Sequence, residues 1–284
     1  MQQHLSRAAV GNPFCSLKPC QRIAHRGGGW LAPENTLAGF QSGLQVDFTA
    51  FECDVKVSAD GVPFLLHDDL LDRTTMTTGR ASWRPWERLA QLDAGAAFKS
   101  GSADERNATG LHRCIPSLQG VAELLAGHDV WLNLEIKPDA DASAAQQADW
   151  GMRIAQAAAR LWAHAAQPPC LSSFALPALQ AARDTAPQLP RAWLCEALPQ
   201  HWREAAQALA LQALHLDARA CTPELVQAVH AAGLSLRLYT VNQAAALEQW
   251  RAAGVDGLFT DAVDLGPAPA STQVLDHDPT RARP

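Results

Sequence analysis

The sequence predicts an α/β fold, a (β/α)8 TIM barrel with a small insertion after a hairpin on the second strand. Three observations predict it: short apolar runs alternate strictly with alanine-rich helical segments, the runs number eight, and only "SADG" separates the second from a further apolar stretch. Strict alternation implies parallel strands joined by crossover helices, and eight such units are the count at which the sheet closes. A turn as short as "SADG" cannot carry a parallel crossover, so that further stretch returns antiparallel.

In order, "RIAHRG" is the first strand and "ENTLAGFQSGLQ" the first helix. "AFECDVKV" is the second strand, and "PFLLHDD" returns beside it as the hairpin. The long stretch from His67 to Ser117 is rich in Gly, Thr, Ser and Arg, carries Trp83 and Trp86, and has no clean period. A segment of that length inside a compact domain reads as a lid or small insertion over a site. Strands "WLNLEIK", "CLSSF", "AWLCE", "ALHLDA", "SLRLYTVN" and "GLFTD" then alternate with helical segments from "SLQGVAELLAG", before the third barrel strand, to "QAAALEQWRAAG", before the last. The barrel is expected over residues 21–265 with its insertion near 70–116, an N-terminal extension over 1–20 and a flexible tail over 266–284.

At 284 residues the chain lies within the range of a single α/β barrel domain. Its net charge of −6 and the lack of a Lys/Arg run argue against a nucleic-acid footprint. No apolar stretch approaches the length of a membrane span, and the first twenty residues lack a signal-type apolar core. Seven scattered cysteines without a C-x-x-C pair fit neither a disulfide framework nor a zinc site, so cytoplasmic thiols are expected.

Sites on such barrels lie at the carboxyl ends of the strands. The first strand ends in His25 and Arg26. On the second, Glu52 and Asp54 share one face while Cys53 and Val55 take the other. The hairpin ends in His67 and Asp68, and the third barrel strand places Glu135 and Lys137 on one face with Asn133 below. Clustered carboxylates stay ionised only beside positive charge. Glu52, Asp54 and Glu135 form the oxygen-rich set that a hard cation requires, so one Mg²⁺ or Ca²⁺ is expected there. Arg26 and Lys137 suit an anion, Arg26 having the better shape for phosphate oxygens. His25 and His67 suit proton transfer near neutral pH, one from the attacking hydroxyl and one to the departing alcohol. The set points to phosphoryl transfer or phosphodiester hydrolysis.

"AHRGGGWLAPENTLAGF" and "ECDVKVSADGVPFLLHDDLLDRTT", followed by "LNLEIK", "SSF", "YTVN" and "GVDGLFTD", resemble the glycerophosphodiester phosphodiesterase family across most of residues 21–265. The resemblance implies a barrel with an insertion after the second strand. It also implies cleavage of small glycerophosphodiesters such as glycerophosphocholine to sn-glycerol 3-phosphate and an alcohol. His25 and His67 would be the acid and base in an order left open. Glu52, Asp54 and Glu135 would bind the cation, and Arg26 and Lys137 would hold phosphate. Tyr239 stands where many similar sequences carry tryptophan, at a position expected to stack on substrate, so substrate preference is the property it affects.

Asn35 reads either as a helix cap or as a site residue. His215 reads either as substrate-facing, at the upper end of its strand, or as local structure. Two other functions share the scaffold: a lysophospholipase D-type enzyme, for which Trp83 and Trp86 are the hint of a membrane-facing rim, and a non-catalytic phosphodiester-binding barrel.

Overall fold

A computed structural model of the chain describes residues 20–98 and 113–264. The extension expected over 1–20 (Cys20 apart), part of the insertion expected near 70–116 and the tail over 266–284 lie outside the described residues. In chain order the elements are β1 (Gln21–Ala24), α1 (Leu37–Gln45), β2 (Ala50–Val57), β3 (Pro63–Leu65), α2 (Trp86–Leu89), α3 (Leu118–Leu125), β4 (Trp131–Ile136) and α4 (Ala144–Leu161). There follow β5 (Cys170–Ser173), α5 (Leu176–Thr185), β6 (Arg191–Cys195), α6 (Trp202–Ala208), β7 (Ala213–Asp217), α7 (Pro223–Ala231), β8 (Ser235–Tyr239), α8 (Ala244–Ala252) and β9 (Gly257–Thr260).

Eight of these strands form a closed parallel barrel, β1-β2-β4-β5-β6-β7-β8-β9, with β9 returning to β1. β3 lies outside the ring, antiparallel to the last residues of β2. β1 is short and meets β2 only at Ala24 opposite Phe51, so the upper edge of β2 stays free for the hairpin. Pairing of Val55 with Leu65 and of Val57 with Pro63 covers that edge.

Side-chain alternation divides the core. Ile23, Ala50, Trp131, Ala192, Ala213 and Phe259 pack inside the barrel. Cys53, Val55, Leu132 and Leu134 face the helices on one side, and Leu214, Leu216, Leu236 and Leu238 face them on the other. Hydroxyl caps start several helices, with Ser117 accepting from the Gly120 amide, Ser143 forming a reciprocal box with Gln146, and Thr222 preceding a proline at the first turn.

The described part of the stretch after β3 carries its own small core, in which Phe64, Leu71, Ala81, Leu89 and Ile115 are buried together. Trp86 packs on the Phe64 ring at 6.5 Å, so it belongs to this core and not to an outer rim. Trp83 is 76% exposed. Fully buried Lys56 joins this layer to the barrel through Asp69 at 2.8 Å and Asp139 at 3.0 Å. Among the described residues no helix is long and apolar enough to cross a membrane.

Candidate active site

The carboxyl ends of the strands surround a pocket of about 160 Å³. His25, Arg26, Glu52, Asp54, His67, Glu135, Lys137 and Tyr239 all line it, together with Phe174, Leu194 and Phe259. Strand register accounts for the acidic part. Asp54 stands directly beside Glu135, and Glu52 beside Asn133. One carboxylate oxygen from each of Glu52, Asp54 and Glu135 lies within 4.8 Å of the others.

Backbone geometry brings the β1 residues inward. After His25 the chain turns sharply, with Arg26 at φ +53 and Gly27 at φ +91. The Arg26 amide donates to a Glu52 carboxylate oxygen at 2.9 Å and the Gly27 amide to the Glu52 carbonyl at 3.0 Å. Asn35 does not cap α1; Thr36 does, accepting from the Gly39 amide. Asn35 instead grips Asp54 from two sides, donating to its carboxylate at 2.8 Å and accepting from its amide at 3.0 Å. Asn35 and Thr36 are adjacent and either residue type can cap, so the sequence alone leaves both roles open.

Each histidine is paired with an aspartate through Nδ1, His25 with Asp261 at 2.6 Å and His67 with Asp68 at 2.7 Å. Asn242 donates to the second Asp261 oxygen at 2.9 Å. With Nδ1 occupied, Nε2 is left for the pocket, and His25 Nε2 lies 3.8 Å from Glu52. No local feature of the sequence marks Asp261 or Asn242 as a site residue. They stand just beyond the carboxyl ends of β8 and β9, the placement that marks site candidates in a barrel. Asp68 continues outward to Arg73, which binds both oxygens of Glu34, and Glu34 accepts from Arg26 at 2.9 Å.

Burial opposes charge throughout this cluster, and neighbours decide each outcome. For Asp54, burial is outweighed by Lys137 at 3.2 Å and Arg26 at 3.5 Å, and its carboxyl is held well below the usual range. Glu52 lacks such a partner: burial and the Asp54 charge push it up to about 8. Glu135 is raised by burial despite Lys137 at 2.9 Å. For His25, burial is outweighed by Asp261 and Glu52 and the pKa rises, whereas burial with Lys137 and Arg26 nearby lowers that of His67. Glu52 Oε1 is buried with no hydrogen-bond partner. An orphaned carboxyl oxygen beside two further carboxyl groups is the donor set of a hard divalent cation, whose charge would favour the ionised form of all three, so the residues present fit such an ion.

His215 is wholly buried in β7, edge-on to the Phe259 ring at 5.0 Å, and does not line the pocket. His230 pairs on the surface with Asp256 at 2.8 Å, a partner the linear sequence did not reveal. Tyr239 donates its hydroxyl to the Cys195 carbonyl and meets Phe174 edge-on at 6.0 Å, making an aromatic wall.

Residues 25–265 match the glycerophosphoryl diester phosphodiesterase family. The chain is 31% identical over 249 residues to a glycerophosphodiester phosphodiesterase of Caldanaerobacter subterraneus, covering 84% of this chain and 93% of that one. It is 35% identical over 134 residues to mouse (Mus musculus) glycerophosphodiester phosphodiesterase 1, covering 45% of this chain and 38% of that one. Its fold is similar to that of an Oleispira antarctica phosphodiesterase solved with the product sn-glycerol-3-phosphate, at a TM-score of 0.75 and 30% identity, covering 86% and 94% of the two chains.

Proposed function

The chain belongs to the glycerophosphoryl diester phosphodiesterase family and is an enzyme of that class; from that premise we propose that it hydrolyses glycerophosphodiesters to sn-glycerol 3-phosphate and an alcohol, using His25 and His67 as its proton-transfer pair. One observation carries this reading: two aspartate-paired histidines, three carboxylates and two cations converge on one small pocket.

Glu52, Asp54 and Glu135 would hold one divalent cation, Mg²⁺ or Ca²⁺. When bound, that ion supplies charge neutralisation at the phosphate and makes a nearby hydroxyl more acidic. Arg26 and Lys137 hold phosphate oxygens and stabilise the charge that builds on them during transfer. Asp261 and Asp68 fix the orientation of the two imidazoles, so that Nε2 of one takes the proton of the glycerol 2-hydroxyl as it attacks phosphorus and Nε2 of the other protonates the departing alcohol; water then opens the cyclic phosphate, giving its proton to the second imidazole while the first returns one to the 2-oxygen. Phe174, Tyr239 and Leu194 present an apolar wall to the carbon chain of glycerol and limit water around the reacting centre.

Release of sn-glycerol 3-phosphate from glycerophosphoethanolamine by the wild type, His25→Ala and His67→Ala tests the assignment. Each variant is expected to lose roughly 10²-fold or more in kcat, the usual contribution of a positioned acid or base. A variant of either histidine with wild-type kcat would remove that residue from the mechanism.

A further inference from the structure

The pocket adjoins a second and wider cavity of about 640 Å³, and the two share His25, Arg26 and Thr240 as walls. The narrower arm, which also holds the carboxylates, suits a phosphate and a three-carbon alcohol. The wider arm is lined by Trp30, Phe98 and Ala32, with the carboxylates of Glu34 and Asp261. His25 stands between the arms.

Trp30 is delivered to this wall by a prebuilt loop. Gly29 adopts φ +53 and lies so close to Asp261 that a Cβ there would come within 2.2 Å of the Asp261 carbonyl oxygen. The Trp30 amide donates to that same carbonyl at 2.9 Å. Yet the Trp30 side chain leaves the residue 59% exposed, so packing does not account for a large apolar ring held at this position.

We propose that Trp30, assisted by Phe98, is the specificity-determining platform for the departing alcohol and selects an alcohol bearing a substituted ammonium group. The inference rests on the hydrolytic reading above. The negative face of an indole attracts a cation more strongly than that of any other side chain. Glu34 on this arm is balanced by Arg26 at 2.9 Å and Arg73 at 2.7 Å, and Asp261 by His25 at 2.6 Å, so the walls hold paired charges and the indole face is left as the contact for an ammonium group. Arg26, the cation on the shared wall, lies 2.9 Å from Glu34 and 3.5 Å from Asp54, which offset its charge toward an ammonium group in the wide arm. With glycerol phosphate in the narrow arm, the ester oxygen of the alcohol lies at the junction beside His25, where a proton can reach it as its bond to phosphorus breaks.

The test compares kcat/KM for glycerophosphocholine and glycerophosphoglycerol in wild type, Trp30→Ala and Trp30→Phe, and measures inhibition by free choline and by glycerol 3-phosphate. The choline-to-glycerol ratio of kcat/KM is expected to fall roughly tenfold in Trp30→Ala and to recover in part in Trp30→Phe. Choline inhibition should weaken by a similar factor, and glycerol 3-phosphate inhibition by less. An unchanged ratio in Trp30→Ala, or an equal fall for both substrates as a merely structural role would give, overturns the assignment of Trp30. Hydrolysis of neither substrate by the wild type overturns the phosphodiesterase reading itself.

Discussion

The chemistry of individual residues here depends on partners distant in the chain. His25 and Asp261 are 236 positions apart, yet they meet at 2.6 Å because barrel closure sets β9 against β1. Asp261 opposes the desolvation of a charged His25 and, through Nδ1, fixes which ring nitrogen faces the pocket. Asp261→Asn keeps the size of the side chain and removes its charge. It is therefore expected to lower kcat by roughly 10²-fold, within the range for positioned acid–base groups, with a smaller change in KM. Steady-state kinetics checks this, and a kcat within twofold of wild type would make the pair structural. The carboxylate set and both histidines were legible in sequence, because alternation along a strand assigns Glu52 and Asp54 to one face. Asp261 was only a residue in a matching motif, since nothing local identifies its partner. The clamp made by Asn35 was equally hidden, because its target is a strand and not its own helix.

At the scale of elements, the hairpin and the layer that follows it set the position of His67. Arg73 joins this layer to the loop between β1 and α1, bonding Asp68 at 2.6 Å and Glu34 at 2.7 Å. Burial raises the Asp68 pKa, but Arg73 and His67 lower it more, to about 2. An unfolded aspartate titrates near ~3.9, so this group is depressed on folding. The stability it contributes is present above about 4 and is lost as pH falls from there through about 2. Thermal unfolding of wild type and Arg73→Gln between neutral pH and about pH 2.5 is expected to show the gap between them narrowing with acid. A gap that stays constant would mean that the Arg73–Asp68 pair contributes no linked stability. The hairpin itself was readable from "SADG", whereas α2 and the small core were not. Their apolar residues follow no helical or strand period and are brought together by isolated bridges such as Asp93 with Cys114.

For the whole molecule, alternation and strand count were sufficient to specify a closed barrel, because parallel strands need crossovers and eight of them close the ring. Closure then supplies what no segment contains: three carboxylates, two histidines and two cations at one end of one core. If this convergence works through a divalent cation, Glu52, with its unpartnered buried oxygen, is the residue whose loss the ion should feel most. The direct measurement is release of sn-glycerol 3-phosphate from glycerophosphoethanolamine by chelated wild type and Glu52→Gln, before and after return of Mg²⁺ or Ca²⁺. Expected are little release by chelated wild type, recovery when an ion is returned, and at least roughly tenfold weaker recovery in Glu52→Gln at equal ion concentration. Full release by chelated wild type, unchanged when either ion is returned, would contradict a role for the cation.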